Sequence, residues 1–308
     1  MGNKAPLNIN FMAPRKVLGA ISIVLVIGSL ILLGTRGLNL GMDFTGGTTV
    51  AVHGEQDLDT NQVRETLEDH GFDGAVVQHY GSARDVSIRV APQEGVDADK
   101  IGHQVFETLT AEIDGISLLK VEFVGPQVGD ELRDQSGLAL LLAMGMMLLY
   151  VWFRFTNKFA VATVSALIHD VIITLGLFSL LRWQVDLTVL AAVLALIGYS
   201  LNDSIVVADR VRENFRDTRE TDPARIINQS INETLSRTIN TSFTTLLVLV
   251  VLLLFGGEVT RGFSEALLVG IFIGTYSSIY VVTNLLFLFK VSKDNFLIPE
   301  KEEIDDMP

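Results

Sequence analysis

Three ionisable residues stand where the sequence is otherwise apolar: Asp170, Asp203 and Arg237. A charged side chain at the centre of a bilayer costs about 2.5–3.5 kcal/mol on insertion scales, so such a residue is a functional candidate by default. The chemistry open to a carboxyl and a guanidinium in hydrocarbon is proton binding. Removal from water favours the neutral acid, whereas a neighbouring guanidinium favours the carboxylate. Asp203 and Arg237, if they separate and re-form, therefore make a proton site whose affinity depends on conformation. The structural alternative is a static ion pair that joins two helices.

The surroundings of this pair are polar. Tyr199, Ser200, Asn202 and Ser204 cluster around Asp203, and Thr238, Asn240, Thr241, Ser242, Thr244 and Thr245 follow Arg237. At 3.6 residues per turn, Thr241 and Thr244 or Thr245 return to the Arg237 face. Hydroxyls and amides at this density suit a hydrated path or a hydrogen-bond relay, with Asn202, Ser204, Thr238, Thr241 and Thr245 as its supporting residues. Asp170 has Thr163 and Thr174 on its own helix face and His169 beside it. It is a second proton-pathway candidate, and a hydrogen bond that packs two helices is an equal reading.

Other chemistry is missing. No lysine follows a glycine, so there is no phosphate-cradling Walker A loop. The run Gly198, Tyr199, Ser200, Leu201, Asn202 lacks the last glycine of a nucleophile elbow. His103 and Glu107 share a helix face without a third metal ligand. The absence of cysteine excludes disulfide scaffolds and thiol catalysis. Neither an enzyme, a cofactor nor a metal is expected.

Six apolar runs must position these groups: residues 17–34, 137–153, 159–181, 187–207, 238–255 and 266–289. Each is close to the roughly 17–25 residues that cross a bilayer. Small residues in the last run (Gly270, Gly274, Ser277, Ser278) suit close helix packing. From the rise of 1.5 Å per residue, Asp203 lies about 24 Å from the outer end of its run and Arg237 about 27 Å from the outer end of its own, at similar depth. Orientation follows the bases. The N-terminal tail (1–16), the turn after the second run, the connector from Arg210 to Arg225 and the C-terminal tail (290–308) hold 13 Lys and Arg, and the two opposite turns hold one each. Both termini are expected in the cytoplasm, with residues 35–135 outside it.

Those exported residues explain the charge. The 308-residue chain has a net charge of −13, with 36 acids against 23 bases, yet a mean hydropathy of +0.41. Between residues 35 and 134 there are 19 acids and 7 bases, so nearly all of the negative charge sits in this one polar segment. Such a surface repels nucleic acid and anionic headgroups. Its pattern reads strand (48–52), helix from Asp59 or Thr60 to just before Gly71, two strands (75–80 and 86–90) joined by a turn at 81–84, helix from Asp97 or Asp99 to Ile113, and strand (116–124). That is the βαββαβ order of an α+β ferredoxin-like unit. The expected fold class is a polytopic α-helical membrane protein of six transmembrane helices with one such exported domain.

Four segments now carry a resemblance: Gly41 to Thr48, Val124 to Gly129, Leu201 to Val207 with Asp209 and Arg210, and Leu235 to Ser242. Together they resemble the SecD/SecF family of bacterial protein-export subunits, within the RND superfamily, over nearly the whole chain. The lone small exported domain is similar to the SecF side of that family. The resemblance implies an inner-membrane subunit that pairs with SecD, associates with SecYEG, YajC and YidC, and handles unfolded preprotein outside the cytoplasm. It implies proton flow as the driving force of a late, ATP-independent stage of export, with protons the only coupling ion. Asp203 and Arg237 match the family's proton-pathway positions, and Asp170 follows with less support. Gly41, Asp43, Phe44, Gly46 and Gly47 are expected to fix how the exported domain joins the membrane. The alternatives are a passive assembly or chaperone-like subunit and half of an RND-type small-molecule or lipid exporter.

Overall fold

The computed structural model describes residues 9–92 and 98–292. In chain order the elements are helix α1 (Arg15–Thr35), strand β1 (Asn39–Leu40), helix α2 (Met42–Thr45), strand β2 (Gly47–Gly54) and helix α3 (Thr60–Asp69). Strands β3 (Val76–Tyr80) and β4 (Ser82–Val90), helix α4 (Ala98–Glu112) and strand β5 (Ile116–Val124) complete the polar unit. Helices α5 (Pro126–Arg154) and α6 (Asn157–Leu181), strand β6 (Gln184–Val185), and helices α7 (Leu187–Asp217), α8 (Pro223–Phe255) and α9 (Glu258–Leu288) follow. Among the described residues six helices are long and apolar enough to cross a membrane: α1, α5, α6, α7, α8 and α9.

The polar unit is one four-stranded antiparallel sheet in the order β3-β4-β2-β5. Its core lies between the sheet and α3 and α4. Val50, Val52, Val86 and Ile88 from the strands meet Val63 and Leu67 of α3 and Ile101, Val105 and Leu109 of α4. The local signals work as the sequence suggests: Asp59 caps α3 by accepting a bond from the Asn61 amide at 2.8 Å, and Gly71 takes a positive φ of 84° past its end. Asp97, one expected cap of α4, lies outside the described residues. The hairpin differs from expectation. Residues 82–84 belong to β4 and not to a turn, because Gly81 reverses the chain almost alone at φ 82° and a bulge at His79 and Tyr80 absorbs the offset.

The membrane helices run beyond their apolar stretches. α5 starts at Pro126, directly after β5, and most of 208–237 is helix: α7 continues to Asp217 and α8 begins at Pro223, with Asp222 capping the Ala224 amide at 3.0 Å. A hydropathy window marks only the lipid-facing length. Polar pairs sustain the rest, with Arg210 bridging Glu213 and Glu233 at 2.6 Å each and the Asn214 side chain donating to Ser230 and Glu233. Within the bundle α6, α7 and α9 are the buried helices, whereas α1, α5 and α8 expose most of their apolar surface. Gly176 of α6 lets α1 come close, since a Cβ there would lie 2.8 Å from the Ser29 backbone.

Candidate functional site

The polar unit is joined to the bundle by the segment that follows α1. β1 pairs in parallel with β6, so Asn39 and Leu40 lie against Gln184 and Val185 at the mouth of α7. The Gly41 amide donates to the Val185 carbonyl at 2.7 Å. A carboxylate at a helix N-terminus satisfies free amides and complements the helix dipole. Asp43 does this for α7, accepting from the Leu187 amide at 3.0 Å, beside Asp186, which accepts from Val189 at 2.9 Å. Phe44 is buried among Phe178, Val185, Val189 and Leu196. Gly46 and Gly47 both hold positive φ, and a side chain on either would strike backbone: Pro126 at 2.9 Å and the Val90 carbonyl at 2.6 Å. The five junction residues thus clamp the sheet, the start of α5 and the start of α7 to one another.

Asp203 lies sixteen residues along α7 from that junction, and α8 and α9 close over it. Its side chain is 7% exposed. Two hydroxyls hold the carboxylate, Thr238 of α8 on Oδ1 at 2.7 Å and Ser278 of α9 on Oδ2 at 2.5 Å. The ion pair expected between Asp203 and Arg237 is not closed: among the described residues no salt bridge joins them. Arg237 is exposed on α8, one residue before Thr238 and within electrostatic reach of Asp203. The reason is helical rotation. The residue that faces α7 is Thr238, and Arg237, about 100° round the helix, points off that face together with the exposed Asn240, Thr241 and Thr244.

The supporting residues divide accordingly. Thr238 reaches the carboxylate directly. Thr241 and Thr245 instead bond back to the Arg237 and Thr241 carbonyls of their own helix at 2.9 Å each. Asn202 is exposed, and Ser204 is buried with its hydroxyl unpartnered. Sequence reasoning missed Ser278, which it treated as a packing residue. The usable signal was a hydroxyl in the interior of an apolar helix next to another, since a buried hydroxyl needs a partner. Ser242 was recognised only as part of the polar run; it bonds Thr275 at 2.7 Å and extends the polar layer between α8 and α9.

Asp170 is fully buried at 0% exposure between α6, α7 and α9. It accepts from Ser200 at 2.5 Å and Ser277 at 2.7 Å on Oδ2, and meets His169 Nδ1 at 2.9 Å on Oδ1. Asp203 and Asp170 therefore share α7 and α9, the second through Ser200 and Ser277, one turn and one residue from Asp203 and Ser278.

A bundle of membrane-length helices with two carboxylates at its centre and a polar sheet unit clamped to one end is a polytopic membrane protein with ionisable groups inside its membrane domain. Comparison with known proteins narrows this. Residues 105–292 match the family described as protein export membrane protein SecD/SecF, C-terminal, and residues 31–57 match the SecD/SecF GG motif, which contains the junction. The chain is similar to the protein translocase subunit SecF of Vibrio alginolyticus, 46% identical over 99% of this chain and 98% of that one. It is also similar to the subunit of that name from Pseudomonas aeruginosa, 47% identical over 97% and 98%. Among solved structures, SecDF from Thermus thermophilus, a translocon-associated membrane protein, superposes with a TM-score of 0.84 at 40% identity. A SecDF structure in a super-membrane-facing form gives 0.70 at the same identity. Both cover 94% of this chain, which spans 40% of the length of those SecDF chains. The chain belongs to the SecD/SecF family and is a subunit of Sec protein export.

Proposed function

We propose that this chain pairs with SecD and uses the proton motive force to assist the late, ATP-independent stage of preprotein translocation across the inner membrane. The observation that carries the reading is Asp203: a carboxyl buried in the bundle, held by hydroxyls from two other helices, with a guanidinium on the adjoining turn. Two hydroxyl donors can hold either protonation state, because a hydroxyl also accepts. The open ion pair is one state of the expected site. Rotation of α8 by about one residue brings Arg237 to the position of Thr238, so proton uptake and release at Asp203 is linked to the setting of α8 against α7. A charge crossing 100 mV supplies about 2.3 kcal/mol, enough to bias such a rearrangement.

The remaining readings follow from this one. Both termini lie in the cytoplasm and residues 35–135 in the periplasm, as the distribution of bases suggests. The βαββαβ order with a β3-β4-β2-β5 sheet supports a ferredoxin-like exported domain. Its clamp on the start of α7 gives movement at Asp203 a route to the periplasmic unit and to unfolded preprotein there. SecYEG, YajC and YidC are the further partners, protons are the coupling ion, and no other cofactor takes part. The exposed polar face of α8 at Arg237, Asn240 and Thr241 is the surface on which SecD completes the site.

The test is an Asp203→Asn chain assembled with SecD and SecYEG in proteoliposomes. Loss of gradient-dependent export, with assembly and ATP-driven export unchanged, is the expected result. Normal gradient-dependent export by the substituted chain would overturn proton coupling at Asp203 and leave a passive assembly role.

A further inference from the structure

Asp170 is more fully enclosed than Asp203, at 0% against 7% exposure. Every partner of its carboxyl is supplied by this chain: His169 on its own helix, Ser200 of α7 and Ser277 of α9. Gly274 brings α9 close, with space for a Cβ only 3.6 Å from Oδ2. The titratable groups around it are His169, Tyr276 of α9, whose ring stacks on His169 at 6.3 Å, and Asp203 one turn along α7 from Ser200. The charged residues of α1 and α5 stand towards the ends of those helices, and among the described residues no guanidinium or ammonium partners the Asp170 carboxyl.

Three buried side-chain polar atoms have no hydrogen-bond partner among the described residues: His169 Nε2, Thr163 Oγ1 and Ser204 Oγ. All three are on α6 and α7. Buried polar atoms ordinarily find protein or water partners, so each of these three is a position where a water can bind. Thr163 lies two turns, about 10 Å, from Asp170, and Ser204 one turn, about 6 Å, from Ser200. Both are displaced towards the end where α6 begins and α7 finishes.

We propose that His169 and Asp170 form a second proton-binding centre, built wholly within this chain and reached along α6 and α7 past Ser204 and Thr163. The inference rests on the reading that the chain moves protons. In the step itself, the proton on Asp170 Oδ1 passes to Nδ1 of neutral His169, leaving a carboxylate and an imidazolium. The imidazolium then releases its Nε2 proton to water, which becomes hydronium, so one proton leaves the pair. Ser200 and Ser277 hold the carboxylate through both states. Because Ser277 and Ser278 are consecutive on α9, a shift of α9 against α7 alters both carboxyl sites together.

The experiment is infrared difference spectroscopy on the full chain in lipid nanodiscs, stepped across roughly pH 4 to 10, where side chains other than Arg titrate. The expected result is a carboxyl band that titrates in the unsubstituted chain and in Asp203→Asn but disappears in Asp170→Asn. His169→Gln should keep that band and move its midpoint by about one unit or more, a tenfold change in proton affinity. A helix-packing hydrogen bond would not titrate. If no Asp170-dependent band changes with pH, or if His169→Gln leaves its midpoint unmoved, the centre as proposed is overturned. Should the Asp170 band titrate while none depends on Asp203, this centre stands and the reading of Asp203 fails.

Discussion

Replacing Gly46 by alanine tests whether the polar unit is mechanically tied to α7. Gly46 has φ 67° and ψ 175°, a region open essentially to glycine alone, and holding another residue there costs about 1–3 kcal/mol. The added Cβ would also lie 2.9 Å from Pro126 Cα and 3.1 Å from the Val124 carbonyl. Both are backbone atoms, at the start of α5 and the end of β5, so neither can swing aside, and overpacking of this kind costs roughly a further 1–3 kcal/mol. About 2–6 kcal/mol is a large part of the 5–15 kcal/mol that holds a domain folded. Hydrogen exchange reads the outcome locally, because the Gly41 and Leu187 amides are bonded only while the junction is closed, to the Val185 carbonyl and to Asp43. At tenfold per 1.4 kcal/mol, both should exchange roughly 30-fold to 20,000-fold faster in Gly46→Ala. Gly81→Ala is the control: its φ of 82° is also positive but open space surrounds the added Cβ, so the backbone penalty alone should appear, confined to the hairpin. Unchanged protection at Gly41 and Leu187 would refute the clamp. Faster exchange there with undiminished proton-driven export would refute the idea that the clamp transmits movement.

Phe44→Ala empties a buried aromatic site beside Phe178 and Val189 and should destabilise the junction by about 3–5 kcal/mol, seen as a lower unfolding temperature of the purified chain. Asn232→Ala removes both hydrogen bonds to the backbone of Ile9; added protease should then cut the N-terminal segment faster, with α1 intact. In the polar unit, Ser82 and then His53 hold the Asp85 carboxyl below its ordinary value of 3.8. A lowered carboxyl contributes stability above its unfolded value and loses it as pH falls through the folded one. Unfolding of the polar unit should therefore become easier below about pH 4, and Asp85→Asn should flatten that dependence; an equal acid sensitivity in the variant would show that other groups cause it.

Much of the architecture is written in short-range patterns. The apolar runs located the six membrane-length helices, and Asp59, Gly71 and the alternating strands located the elements of the polar unit, because length, capping and periodicity act between near neighbours. Where the pattern stops being local the reading failed by a few residues. The extension of α7 and α8 beyond the apolar stretches depends on Arg210, Glu213, Asn214 and Glu233 meeting across two helices, and hydropathy carries no trace of that.

The same division runs through the site. Sequence alone placed Asp170 and Asp203 inside apolar runs and Arg237 at the edge of one, since a charge in or beside an apolar run is visible by itself. It also determined the acidity of the polar unit and the glycines of the junction. Only tertiary structure decided which groups touch. Asp203 meets Thr238 and Ser278 with Arg237 turned aside, and Asp170 meets Ser200 and Ser277, because partner choice depends on the rotation of α8 and α9 about their axes. One residue of rotation is about 100°, and it is set by packing among helices far apart in the chain.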